Sequence, residues 1–142
     1  IDRTGRAPAG ELARSAYVLA EAEGGRPDAI VLASGSEVAI ALDAQRLLLE
    51  QRIRVRVVSA PSLELFARQP ADYRRTVLPP DVSHRVAVEA GHPMPWWRWV
   101  GDGGDVIGIE RFGASAPYQR IYEEYGLTAR HTVERVRAML GR

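Results

Sequence analysis

The chain has no cysteine, so disulfides, thiolate nucleophiles and zinc–cysteine sites are excluded and the redox compartment is left open. It has no lysine either: all 19 basic residues are arginine. That removes a Schiff-base lysine and the lysine of a nucleotide P-loop. Asparagine is also missing throughout. No apolar run approaches the about 18 residues that a membrane helix needs, and no signal-peptide pattern opens the chain. The formal net charge is only +1, too little for a field that would hold nucleic acid or an acidic membrane. Neither is expected as a partner. No G-x-S-x-G elbow occurs, so a hydrolase of that kind lacks support. The first residue is Ile1 rather than Met, which suggests a piece cut from a longer chain, with the cytoplasm as its default location.

What is present suits one soluble domain: 142 residues, 46% hydrophobic and 26% charged. Residues 1–10 carry Gly5, Pro8 and Gly10 among polar residues and read as a linker or arm, leaving residues 11–142 as the domain. Residues 16–20 are apolar enough for a strand. Residues 23–28 form a turn by composition. The run Ala29-Ile30-Val31-Leu32-Ala33 fits a strand buried on both faces.

Ser34 to Glu37 follows the S-x-x-E capping-box pattern. The helix it opens places Val38, Leu42, Gln45 and Leu49 on one stripe, widened by Ala41 and Leu48, and ends near Gln51. A strand over residues 53–59, short helices over 63–68 and 71–77, and strands over 85–89 and 105–109 follow. A Trp-rich segment, residues 91–104, separates the last two strands. Helices over residues 116–125 and from Thr128 onward close the chain, with Gly126 and Gly141 as stops. Strands alternating with helices predict a three-layer α/β domain.

Five groups of residues could carry chemistry. Gly101-Asp102-Gly103 resembles the triplet of thiamine-diphosphate enzymes, where an aspartate and a later asparagine hold the metal of the diphosphate. Without asparagine that second ligand is missing, and the composition favours an ordinary turn. Ser34-Gly35-Ser36-Glu37 could cradle an anion at a helix N-terminus, but one glycine and a built-in carboxylate favour plain capping. Arg54 and Arg56 alternate with valines on one strand face. Arg56, near the end of that strand, could reach a phosphate bidentately, or it could be an internal ion pair. His84, His92 and His131 show no metal-ligand spacing. Trp96, Trp97 and Trp99 could stack a base or sugar, although burial in the domain or at a subunit interface is favoured.

Blocks of the sequence resemble the C-terminal domain of transketolases. They are Leu12 through Leu19; Ser34-Gly35-Ser36-Glu37-Val38; Arg56-Val57-Val58-Ser59-Ala60-Pro61-Ser62, continuing to Phe66 and Gln69; Tyr73-Arg74 with Val77-Leu78-Pro79; Val86-Ala87-Val88-Glu89-Ala90-Gly91 with Trp96; and the Arg111 to Pro117 loop. The resemblance implies a mixed five-stranded sheet between helices, its first strand antiparallel. It implies an intact enzyme, a homodimer, that moves a two-carbon ketol unit between sugar phosphates using thiamine diphosphate and Mg or Ca. The cofactor would be held by the remaining transketolase domains, in the same chain or in a separate subunit of a split enzyme, and this chain alone would be inactive. By the same resemblance, Arg56 matches the family arginine that contacts the substrate phosphate. The stretch His92-Pro93-Met94-Pro95 and Trp97 depart from the family pattern. A non-catalytic interaction or regulatory module is the rival reading. The equivalent domain of another thiamine-diphosphate enzyme is a third, against which the Arg-Phe-Gly-Ala-Ser block speaks.

Overall fold

The computed structural model describes residues 7–111 and 117–142. Residues 1–6 of the expected arm, and residues 112–116 of the loop bearing the last family-like block, lie outside the described residues. The elements run as a 3-10 helix Ala9–Arg14, β1 Tyr17–Ala20, β2 Ala29–Ala33, α1 Glu37–Glu50, β3 Val55–Ser59, α2 Leu63–Arg68 and α3 Ala71–Val77. β4 Arg85–Val88, a 3-10 turn Met94–Trp96, α4 Trp97–Val100, β5 Asp105–Ile107, α5 Tyr118–Glu124 and α6 Ala129–Met139 complete the order. The five strands form one sheet in the order β1-β3-β2-β4-β5. β1 runs antiparallel to β3, and the other pairings are parallel.

The pleat explains the two cores. In β2 every residue is buried. Ala29, Val31 and Ala33 face one side with Val57, Val86 and Val88, under α1 and α6. Ile30 and Leu32 face the other with Val58 and Ala87, under Phe66 of α2, Val77 of α3 and the Trp-rich segment. This is the alternation of a strand covered by helices on both faces.

One expectation changes, and two segments gain detail. Across residue 10 runs the helix Ala9–Arg14, and the Ala7 N–H donates to the Leu19 carbonyl at 3.1 Å. In α1 the buried residues are Glu37, Val38, Ala41, Leu42, Ala44 and Leu48, while Leu49 is exposed. The small Ala41 and Ala44 let the sheet and α6 approach closely, which rotates the buried stripe away from Leu49. The Trp-rich segment folds into a 3-10 turn and a short helix. Trp96, Trp99 and Val100 follow helical spacing and are buried, whereas Trp97 points out.

Gly101-Asp102-Gly103 is a turn that leads into β5. Gly101 has φ +74, and the Gly104 N–H closes the turn on the Gly101 carbonyl at 3.0 Å. A Cβ on Gly104 would stand 2.6 Å from the Val100 carbonyl oxygen and 2.8 Å from that of Arg85. Backbone atoms cannot give way as a side chain can. Gly104→Ala is therefore expected to destabilise by about 2 kcal/mol, and Asp102→Ala, on the exposed tip, by less than about 0.5 kcal/mol. Urea midpoints of the two variants test the contrast. Among the described residues no helix is long and apolar enough to cross a membrane.

Candidate functional site

A parallel sheet ends its strands in loops at one edge, and that edge is where open α/β folds gather function. β2, β3 and β4 end at Ala33, Ser59 and Val88. The next residues are Ser34, Ala60 and Glu89. The loop after β2 leads to α1 on one face, and the loop after β3 leads to α2 on the other. The divergence opens a cleft of about 310 Å³, lined by Ser34, Ser62, Glu64, Glu89, His92 and Trp96 among others. Three of the family-like blocks thus meet at one edge.

Glu89 is the centre of the cleft. One of its oxygens, Oε2, accepts from the Ser34 hydroxyl at 3.1 Å and from the Trp96 indole N–H at 3.2 Å. β4 delivers the carboxylate, β2 delivers the serine, and the buried Trp96 ring holds the indole nitrogen in place. Beside it stands a second carboxylate. Glu37, only 4% exposed, accepts the Tyr122 hydroxyl at 2.6 Å and the Ser36 hydroxyl at 2.8 Å. The hydrogen bond to Glu37 pushes the Tyr122 phenol above its ordinary pKa. This bond also ties α5, which buries no residue of its own among the described residues, to the start of α1.

These contacts correct the capping box. Ser36, not Ser34, is the N-cap of α1, and no side chain caps it. Ser34 is drawn instead to Glu89, and Glu37 turns inward. An anion over Gly35 would meet two carboxylates, so the loop is not built as an anion cradle.

Arg56 lies elsewhere. It is the second residue of β3, at the edge opposite the cleft. Each nitrogen of its guanidinium donates: Nε and Nη2 to the two Glu21 oxygens at 2.8 and 2.9 Å, and Nη1 to the Thr76 and Val77 carbonyls at 2.8 and 3.1 Å. With its side chain 13% exposed, Arg56 is a clamp on the end of α3, in the internal ion pair that its strand position left open beside a phosphate contact. Burial by itself would raise the Glu21 pKa, but the hydrogen bonds from Arg56 and from the Ala22 N–H, with the guanidinium charge, bring it below its ordinary value. Arg54 pairs with Asp28 at 2.9 Å, also at this edge.

Sequence reasoning missed Arg85. Its side chain donates to the carbonyls of Val82 at 2.9 Å, Trp99 at 3.0 Å and Pro79 at 2.8 Å, and no carboxylate pairs with it among the described residues. Arg56 and Arg85 both stand in register with Ile30, one on each neighbouring strand, so two arginines of one sheet face hold the end of α3. An arginine opening each of two apolar strands was the available signal.

The three histidines stay apart. His84 precedes β4, His131 sits in α6, and His92 on the cleft rim accepts the Met94 N–H at 3.2 Å. No group of three His, Asp or Glu that could hold a metal occurs among the described residues. Asp102 is exposed on its turn, and no asparagine exists to join it. The donors here therefore do not fit a magnesium or calcium diphosphate site, which requires several convergent oxygen ligands.

The sequence model of the transketolase-like C-terminal domain matches residues 15–128. The transketolase of Geobacillus stearothermophilus is 47% identical over 129 residues, covering 91% of this chain and 19% of that protein. The transketolase of Bacillus subtilis is 42% identical over 142 residues, covering 100% of this chain and 21% of that protein. Among solved structures, transketolase from Leishmania mexicana superposes with a TM-score of 0.86 at 35% identity, covering 99% of this chain and 20% of that one. The chain spans about a fifth of the length of the curated relatives it matches.

Proposed function

Because the chain belongs to the transketolase family, as its C-terminal domain, we propose that it serves an enzyme which transfers a two-carbon ketol unit between sugar phosphates. The observation that carries this reading is the match itself, which spans nearly the whole chain in sequence and in fold. In this reading thiamine diphosphate and Mg or Ca are held by the other domains, at the interface of a cytoplasmic homodimer. When bound, the cofactor supplies the carbanion that carries the two-carbon unit. Among the described residues no convergent ligand group fits the metal, which is compatible with a cofactor held elsewhere.

The domain's part is then positional. The paired arginines, the filled cores and the Glu89 network make a rigid body, and rigidity in a flanking domain helps to hold the catalytic domains in register. No bond of the reaction is made by its own side chains.

The test replaces the matching segment of Bacillus subtilis transketolase with this chain. The truncated enzyme is expected to lose activity, and the chimera to regain at least about ten-fold of it. The isolated chain, supplied with thiamine diphosphate and magnesium, is expected to show no turnover of a ketose phosphate. Turnover by the isolated chain, or a chimera no better than the truncated enzyme, would reject the reading and favour a stand-alone interaction module.

A further inference from the structure

The two ends of the sheet differ in what they leave unsatisfied. At the N-terminal end the charges are already paired: Arg26 with Asp81, Arg54 with Asp28, Arg56 with Glu21. At the C-terminal end both hydrogen bonds to Glu89 fall on Oε2, and no donor reaches Oε1 among the described residues. Oε1 lies beside Gly91, where a Cβ would come within 3.1 Å of it, so the missing side chain leaves room on that side of the oxygen. Glu64 adds a second carboxylate to the cleft, and among the described residues no arginine lines it. The cleft is therefore a preformed acceptor without a cation.

Its rim is apolar. Leu65 on α2, Met94 in the 3-10 turn and Trp97 at the start of α4 are 50%, 70% and 48% exposed, half of the large hydrophobic side chains that the described residues leave in solvent. Pro93 and Pro95 stiffen the segment that carries two of them. An acceptor flanked by exposed apolar side chains on a proline-stiffened segment, with an indole at its edge, has the make-up of an interface centre rather than of an ordinary solvated loop.

We propose that this cleft seats the other transketolase domains: an apolar surface carrying one guanidinium or ammonium docks between α2 and the Met94–Trp97 turn, with the cation on the free oxygen of Glu89. The inference rests on the family reading above, because the relatives are about five times longer than this chain and most of their mass must meet it somewhere. Charge complementarity selects the donor, and the exposed Leu65, Met94 and Trp97 select the apolar surround. Ser34 and Trp96 act as positioning residues, since they fix the carboxylate without touching the partner.

Hydrogen exchange compares the isolated chain with the Bacillus subtilis chimera. Amides of residues 62–66 and 91–98 are expected to slow at least about ten-fold in the chimera. Trp97→Ser and Glu89→Gln should each remove most of that protection while leaving the isolated chain's melting temperature near wild type. Leu49→Ser, an exposed leucine at the far end of α1, should leave the protection intact. Protection confined to other surfaces, or unchanged by the two cleft variants, overturns the docking site while an active chimera keeps the family reading. A chimera with neither protection nor activity overturns both. Sedimentation of the isolated chain gives one more check: a dimer abolished by Trp97→Ser would make a second copy the occupant and reject the proposed one.

Discussion

Replacing Arg85 with methionine is expected to destabilise the domain by about 3 kcal/mol, the largest single-residue effect outside the apolar core. The guanidinium of Arg85 touches no carboxylate among the described residues and instead donates to carbonyls from three places in the chain: Pro79 just past α3, Val82 in the following loop, and Trp99 in α4. Burial pushes its pKa down, which records the desolvation cost of placing a cation there. The charge persists because a guanidinium does not lose its proton in a protein. Four backbone acceptors offset that cost, the Leu78 carbonyl at 3.4 Å being the fourth, and Leu78 and Pro79 follow the C-terminus of α3, where a cation is favoured. Methionine keeps much of the stem's volume but strands those acceptors. Lysine restores the charge without the planar fork, so Arg85→Lys should recover only part of the loss. Thermal melts should show a fall of roughly 10 °C for methionine, using the usual conversion for a domain of this size. Since no carboxylate takes part, the loss should be nearly the same at pH 5 and pH 8 and in high salt. A loss under about 1 kcal/mol, or one that vanishes in high salt, would mean that water replaces the guanidinium and the site is solvated.

Much of the fold was legible because hydrophobic periodicity is a local signal. The apolar run over Ala29–Ala33 and the short helices Leu63–Arg68 and Ala71–Val77 stand where the pattern predicts them. The turn at residues 101–104 was legible for the same reason, since glycine punctuation depends on the backbone alone. The antiparallel first strand came from resemblance rather than pattern, because four residues such as Tyr17–Ala20 carry no direction. The site was less legible because its partners are distant in sequence. Ser34 and Glu89 are 55 residues apart, and Glu37 and Tyr122 are 85 apart. The serine could equally have capped α1 by its local pattern, and only the parallel pairing of β2 with β4 brings Glu89 within reach of it. The ion pair of Arg56 was hidden for a related reason. Position along a strand was readable, but the sheet end on which it falls, and the Glu21 that meets it, were not.

Arg56 supplies the second large effect, and its signature should be the opposite of that of Arg85. Half of its hydrogen bonds go to the Glu21 carboxylate and half to the carbonyls of Thr76 and Val77 in the last turn of α3. Arg56→Met should therefore cost about 2–3 kcal/mol, most of it from the carbonyl half. Glu21 is 54% exposed, so solvent screens its share, and Glu21→Gln should cost only about 0.5–1 kcal/mol. The pH dependence separates the halves. The Glu21 pKa lies below its ordinary value in the folded chain, so the unfolded state takes up the proton first. The pair's contribution is then full above the unfolded carboxylate value, near pH 4.3, and is lost as the pH falls through the lower folded value. Urea midpoints should thus show the wild type losing its advantage over Glu21→Gln in acid. The advantage over Arg56→Met should shrink there but survive, because the two carbonyls do not titrate. If Arg56→Met and wild type converge completely in acid, the clamp is the ion pair alone and the α3 carbonyls contribute nothing. If the substitution leaves stability untouched at every pH, the guanidinium is held for something outside the domain, and a role as ligand to a substrate phosphate returns as the better account of Arg56.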